Sequence, residues 1–366
     1  MKVVDPATVE TPIGYVDLQR TRLNAKKIAS YAEAHGLKWR PHVKTHKCRQ
    51  IAKIQLDAGA TGITVATLRE AEVMSTVTQD LVLAYPPVGS SKLERLTHLP
   101  RELDLKVALD SAEVLQQLAV AATSAERQVG ILIERDVGLG RVGVQSVEEV
   151  LQLATLAQNL EGVNFRGILF YPGQIRMVEL EQETQVREVA SLVEEMTMAL
   201  DLAGLSPEIV SGGSTPTLWR SHNYGGITEI RSGSSIFYDL EALRIGVASH
   251  EDLAYTVLTT VVSTAVKGRA VVDAGSKALC KEGRSADGDF GVLFDRPEVT
   301  VTALNEEHGV LDLSRTDWNP RVGEKVQVVP NHVCVSVNLQ DALLAKDDDV
   351  HLILNLEARG RGYWTA

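Results

Sequence analysis

The stretch Trp39-Arg-Pro-His-Val-Lys-Thr-His-Lys47 gathers Arg40, Lys44 and Lys47 with His42 and His46, inside a chain that is acidic overall. An amphipathic helical pattern over Thr21–His35 ends at Gly36 just before it, and another begins just after it. A strand end followed by a helix start is the expected setting. In α/β barrels that junction is where catalytic side chains collect, because the loops at the carboxyl ends of the strands face a common opening. Lys44 stands out. A lysine held among cations and partly desolvated has a lowered pKa and an amine free to form a Schiff base with an aldehyde cofactor. A solvated basic loop is the plainer reading of the composition, and the rest of the chain has to decide between the two.

Outward from this stretch, short apolar runs alternate with helical patterns. The runs are Lys38–Val43, Gly62–Ala66, Asp80–Tyr85, Leu105–Leu109, Val129–Arg135, Asn164–Phe170, Glu208–Val210 and Thr228–Ile230. Helical stretches such as Leu68–Thr76, Ala112–Ala121, Val147–Asn159 and Val178–Ala203 fall between them. Eight strand–helix units predict an α/β fold, a (β/α)8 barrel. A doubly wound open sheet would place a Gly-x-Gly-x-x-Gly turn after its first strand, and the sequence has none there. After Leu240 the pattern turns β-rich, with runs at Tyr255–Val266, Arg269–Asp273, Val299–Leu304, Lys325–Val329, Cys334–Leu339 and His351–Leu356. The expected division is a barrel over residues 1–245 and a mostly-β domain over 246–366. The first short strand, at about residues 12–18, is surplus to the barrel and free to pair with the later sheet.

Composition sets the outer bounds. The chain has 366 residues, 44% of them hydrophobic and 23% charged, which suits a two-domain globular enzyme. A net charge of -11 argues against nucleic acid or an anionic membrane as partner. No apolar run reaches membrane-spanning length and no secretory pattern opens the chain, which predicts a cytoplasmic protein. Cys48, Cys280 and Cys334 are too scattered for a disulfide framework, so a cysteine with a role is expected to be a ligand.

Several constellations carry chemistry. Val210-Ser-Gly-Gly-Ser-Thr-Pro-Thr217 and Ile230-Arg-Ser-Gly-Ser-Ser235 follow the seventh and eighth runs. Glycines, serines and threonines at strand ends offer bare N–H groups and hydroxyls for a phosphate, and loops after strands seven and eight are a recurrent phosphate site of this barrel. Arg141, in Arg135-Asp-Val-Gly-Leu-Gly-Arg-Val-Gly143, can donate to an oxyanion at the barrel mouth or simply pair with Asp136. Tyr171 can present its ring to a flat cofactor or be a structural tyrosine. In Pro330-Asn-His-Val-Cys334, a strand would put His332 and Cys334 on one face, as an imidazole and a thiolate suited to zinc. A core cysteine beside a surface histidine is the bland alternative. Asp273-Ala-Gly-Ser-Lys277 suggests a tight turn with a supporting carboxylate.

Arg40-Pro-His-Val-Lys-Thr-His-Lys47 resembles the cofactor-lysine motif of the fold-type III pyridoxal phosphate enzymes in the D-serine dehydratase and D-threonine aldolase group, which share the alanine racemase architecture. The likeness continues through Leu83-Ala-Tyr-Pro86, Asp136-Val-Gly-Leu-Gly-Arg141, Ser214-Thr-Pro216, Phe237-Tyr-Asp239, Glu306-Glu-His-Gly309 and Pro330-Asn-His-Val-Cys334. It implies that Lys44 carries pyridoxal 5'-phosphate, that Arg141 contacts its phenolic oxygen, and that Gly212, Gly213, Ser214, Thr215, Gly233 and Ser234 hold its phosphate. Arg231 matches the arginine that faces the pyridine nitrogen, and Tyr171 lies near the cofactor where relatives often place a histidine. His332 and Cys334 match the metal ligands of the dehydratase branch, whereas the aldolase branch typically has aspartate second. The resemblance therefore implies a metal-dependent lyase of D-3-hydroxy amino acids. Zinc is the expected metal, with manganese or magnesium as alternatives. β-Elimination from D-serine or D-threo-3-hydroxyaspartate is the expected outcome. Retro-aldol cleavage of D-threonine is the first alternative, and racemisation or a non-catalytic cofactor carrier the remoter ones. A homodimer is expected, since in this group a partner's second domain closes the barrel mouth.

Overall fold

The computed structural model describes residues 2–282 and 288–362. The chain divides into two compact units, Lys26–Gly233 with Ala358–Ala366, and Met1–Ala25 with Ser234–Glu357.

The first unit is built on an eight-stranded parallel sheet. In spatial order its strands are Lys38–Trp39, Glu229–Ile230, Ile209–Gly212, Val163–Phe170, Val129–Arg135, Asp104–Leu109, Asp80–Leu83 and Ile63–Val65. The ring closes where His42 bridges Thr64 in parallel and Thr64 N–H donates to Pro41 O at 2.9 Å. Strands buried on both faces have to be apolar almost throughout. Val129–Ile133 and Leu105–Leu109 accordingly contain no exposed residue, and Lys106 is buried only because carboxylates meet it. Val82, Ala108, Leu132, Leu169 and Ile209, one from each of five neighbouring strands, pack into a single cluster. The intervening helices begin where the sequence supplies caps. Thr67 and Ser111 accept from Glu70 N and Val114 N, and Ser146 with Glu149 forms a capping box at the start of Val147–Asn159.

The floor of this barrel is ionic. Arg40 donates from Nε to Glu229 (2.9 Å) and from Nη1 to Asp80 (2.5 Å). Lys106 bonds Asp80 and Asp104, both at 2.5 Å, and Arg166 bonds Asp104 (3.3 Å) and Glu208 (2.6 Å). Arg40 and Glu229 are almost wholly buried, so their charges depend on these partners.

The second unit is mostly antiparallel. Its main path runs Lys2–Val3, Val350–Asn355, Ala342–Asp347, Ile13–Asp17, Tyr255–Ser263, Arg269–Val272, Gly309–Asp312 and Val301–Leu304, with Lys325–Pro330 and Gly291–Leu293 joined beside Tyr255–Ser263. Ile13–Asp17 is parallel to Ala342–Asp347 and antiparallel to Tyr255–Ser263. Asp273 accepts from the hydroxyls of Thr11 (2.5 Å) and Thr259 (2.6 Å), so it fastens the approach to that first strand rather than supporting a ligand.

One expectation fails here. Cys334–Leu339 is not a strand, because Val333–Leu339 forms an α-helix with His332 as its N-cap residue. The alternating Val-Cys-Val-Ser-Val-Asn-Leu suggested period two, but the buried residues are Val333, Ser336 and Val337, a helical spacing. Asp239 Oδ2 accepts from Val333 N–H at 3.0 Å and caps the helix, while Ser336 bonds Tyr255 and Ala278. Those tertiary partners override the local β preference.

Candidate active site

In the barrel unit, the strand Lys38–Trp39 is cut short by Pro41, which has no N–H to give to a ladder. The chain then makes the tight turn Val43–Thr45, which lifts Lys44 to the surface of the single chain between buried Val43 and Thr45. Lys44 is thus exposed rather than desolvated there. Its Nζ lies 5.8 Å from the centroid of the Tyr171 ring, and the Arg141 guanidinium lies 5.0 Å from the same centroid. The turn is pinned from below and behind. His42 Nδ1 faces Lys44 N–H at 3.5 Å. Lys47, in a left-handed conformation (φ 51°), accepts at its carbonyl from Ala358 N–H (3.1 Å) and pairs through Nζ with fully buried Glu70 (3.0 Å).

His42 is a site residue that composition did not single out. Burial, then the charges of Lys44 and Arg231, keep its pKa well below that of ordinary histidine, so it is neutral at the base of the turn. His46 is also fully buried, with Nε2 on Gln55 Oε1 (3.0 Å) and Nδ1 accepting from Cys48 N–H (3.2 Å). Burial lowers its pKa from 6.5 to about 4. An unfolded chain takes up this proton as pH falls through about 6.5, whereas the folded chain resists until about 4. The stabilisation from neutral His46 is therefore complete above 6.5 and is lost between 6.5 and about 4, at a cost of about 3 kcal/mol. Urea denaturation at pH 7.5 and 4.5 should show this slope flattened in His46→Asn, and a variant that keeps the full wild-type slope would assign it elsewhere.

Arg231 directly follows the eighth barrel strand, Glu229–Ile230. Its N–H donates to Gly212 O (3.0 Å) and its Nη2 to Phe170 O (2.6 Å), the carbonyl just before Tyr171. It is fully buried, and burial lowers its pKa against the opposing pull of Glu134. Glu134, at the end of Val129–Arg135, is the second residue missed from sequence. Its Oε1 lies 4.0 Å from Arg141 Nη2. Its only sequence signal is a carboxylate closing an apolar strand directly before a glycine-rich loop. That loop is held in place by Asp136, which accepts from Leu139 and Gly140 N–H, and by Gln174, whose Nε2 donates to Val137 O (2.6 Å).

The expected phosphate residues fall into three kinds. Gly212 and Gly233 have a packing reason to be glycine, since a Cβ would meet the Phe170 ring at 2.1 Å and His42 O at 2.6 Å. Gly213 needs its left-handed backbone, φ +84°. Ser214 and Thr215 are buried at the start of a turn, with Ser214 Oγ 3.0 Å from Thr217 Oγ1 and Thr215 O accepting from Leu218 N–H (3.2 Å). Ser234 opens the turn Ser234–Ile236 in the other unit, where its carbonyl accepts from Tyr238 N–H (2.7 Å). Among the described residues, Arg231 Nε and the hydroxyls of Ser211 and Ser232 are buried without a hydrogen-bond partner. Buried donors normally find acceptors, so an anionic, oxygen-bearing group fits this cradle.

His332 and Cys334 lie in the second unit. Glu282 Oε2 is 2.8 Å from His332 Nδ1. A carboxylate only accepts, so Nδ1 carries a proton, the orientation that metal-binding histidines take from a supporting carboxylate, with the Nε2 of a neutral ring as the ligand atom. Glu282 was not foreseen, being distant in sequence. Among the described residues no group of three or more His, Cys, Asp and Glu side chains forms a metal cage. The segment is the start of the helix Val333–Leu339 and not a strand, so the shared face expected for His332 and Cys334 from period two is lost, and only their ligand types point to a metal that keeps other positions open.

Comparison with known proteins covers nearly the whole chain. Residues 16–241 match the alanine racemase N-terminal domain, and residues 254–345 match the putative serine dehydratase domain. D-threonine aldolase of Arthrobacter sp is 34% identical, over 97% of this chain and 94% of that one. D-threo-3-hydroxyaspartate dehydratase of Delftia sp. (strain HT23) is also 34% identical, over 90% and 92%. The solved structure of a D-threo-3-hydroxyaspartate dehydratase variant in the metal-free form superposes with a TM-score of 0.87 at 30% identity, covering 98% and 99% of the two chains.

Proposed function

Because this chain belongs to the fold-type III pyridoxal phosphate family that contains the D-threonine aldolases and the D-3-hydroxy amino acid dehydratases, we propose that it is a lyase of small D-3-hydroxy amino acids. Its main reaction is elimination of the 3-hydroxyl from D-serine or D-threo-3-hydroxyaspartate, giving a 2-oxo acid and ammonia. The observation that carries the elimination over the aldol route is the ligand pair itself, His332 with Cys334 rather than with an aspartate.

The residue roles follow from the site. Lys44 would hold the cofactor through its Nζ, and the same amine, when free, would accept the Cα proton. When bound, pyridoxal phosphate supplies an electron sink conjugated to the substrate's nitrogen. Lys44 and Arg141 both lie against the Tyr171 ring, which places the two cations on one aromatic surface. The buried, unpartnered hydroxyls of Ser211 and Ser232, with the backbone of Gly212–Thr215 and Gly233, would receive the phosphate, and Arg231 would face the pyridine nitrogen. Neutral His42 adds no charge beneath the lysine. His332 Nε2 and Cys334 Sγ hold a divalent cation, zinc first, whose Lewis acidity suits a hydroxyl that is otherwise a poor leaving group. The second unit of a partner chain completes the barrel mouth in a homodimer.

Product analysis tests this. Ammonia and a 2-oxo acid from D-serine or D-threo-3-hydroxyaspartate, suppressed at least about tenfold by a chelator and restored by zinc, are expected. His332→Ala should keep the cofactor and lose the metal response. Glycine and acetaldehyde from D-threonine would move the chain to the aldolase branch. Full activity in metal-free protein would sink the Lewis-acid role.

A further inference from the structure

We infer that Glu134 is a positioning residue, whose carboxylate at the end of Val129–Arg135 holds Arg141 over the Tyr171 ring. The inference rests on the cofactor site proposed above.

The barrel mouth collects positive charge. Lys44 and Arg141 share one aromatic ring, and Arg231 is buried close by with a single backbone acceptor for Nη2. Lys47 adds nothing to this excess, since Glu70 neutralises it. A buried guanidinium without a counter-charge is costly, and among the anions that Arg231 feels, Glu134 is foremost. Glu134 is itself 8% exposed, while Arg141 is 55% exposed. An exposed arginine has many rotamers, and an anion 4.0 Å away with a ring below it selects one of them.

The other carboxylates near Glu134 are already engaged. Asp110 accepts from Gly143 N–H at 2.8 Å, and Asp136 accepts from the amides of Leu139 and Gly140. Both repel Glu134. Burial pushes the Glu134 carboxyl up, and Arg231 followed by Arg141 pulls it back, so the three side chains fix one another's charge. Glu134 touches no reacting atom. It acts through Arg141, which the proposed site sets against the cofactor.

The test is Glu134→Gln, which keeps the shape and removes the charge, with Glu134→Asp beside it. Each protein is reconstituted with pyridoxal phosphate, and the pH at which the bound cofactor's visible band changes is measured together with kcat and KM. Removing a carboxylate disfavours protonation nearby, so the transition in Glu134→Gln should fall by about one pH unit. Its kcat should drop about tenfold with KM within about threefold. Glu134→Asp should move both in the same direction but less, and it decides the matter if the glutamine variant does not fold. A wild-type transition and kcat in the variants overturn the inference. So does a variant that merely melts lower while its band titrates as in the wild type. Failure of the wild-type protein to take up pyridoxal phosphate would instead remove the cofactor site itself.

Discussion

Lys44→Ala is expected to abolish the visible absorbance of protein-bound pyridoxal phosphate and to lower lyase turnover by at least about 10^4-fold, while leaving thermal stability close to wild type. The first two effects follow from chemistry. An alanine has no amine to condense with the aldehyde and none to accept the Cα proton, so one substitution removes two roles. The third follows from position. Lys44 is exposed on its turn, and the hydrogen bonds that shape the turn come from His42, Lys47 and Ala358. Truncating its side chain therefore leaves the fold intact. Lys44→Arg separates charge from nucleophilicity, since a guanidinium keeps the cation near Tyr171 but does not condense. It should be as inactive as the alanine variant. Retained absorbance and turnover in Lys44→Ala would place the cofactor on another amine.

Arg40→Met should be the most destabilising single change in the barrel, costing about 3–5 kcal/mol in equilibrium denaturation. Arg40 bridges Glu229, buried to 1% exposure, and Asp80, and the surplus of negative charge holds its guanidinium more strongly protonated than usual despite burial. Without it, Glu229 is an uncompensated buried carboxylate. The decisive comparison is the double variant Arg40→Met with Glu229→Met, which removes both charges. It should cost less than Arg40→Met alone, because the penalty comes from the orphaned charge rather than from loss of a favourable pair. Simple additivity of the two single changes would show that the floor is held by packing. Arg40→Lys should recover only part of the loss, since one ammonium cannot face two carboxylates as a planar fork does.

The barrel was legible because its signals are local. Val129–Arg135 and Val147–Asn159 have the bounds that apolar run and capping box give them. Lys44 was legible for the same reason, as part of a short run of unusual residues. The expected strand Lys38–Val43 shrank to two residues because Pro41 ends its ladder. What could not be read were the partners. Glu134 and Glu282 matter through side chains far away in the chain, and the helix Val333–Leu339 exists because Asp239, 94 residues earlier, caps it. The glycines of the phosphate loops were read as bare backbone for a ligand. Two of them answer first to Phe170 and His42.

The place of Ile13–Asp17 also sets an order of events during synthesis. This strand leaves the ribosome early, yet its neighbours are Tyr255–Ser263 and Ala342–Asp347. The approach to it is tied by Thr11 to Thr260 across 249 residues, and Gly14 N–H reaches Gln340 across 326. Most barrel strands, by contrast, pair with neighbours in sequence, although Lys38–Trp39 waits for Glu229–Ile230. The nascent barrel can therefore close while the first strand stays unpaired, one edge bare until Tyr255–Ser263 is made and the other until Ala342–Asp347. A fragment that begins at residue 246 lacks the central strand of its own sheet and should be insoluble unless residues 1–25 are supplied beside it.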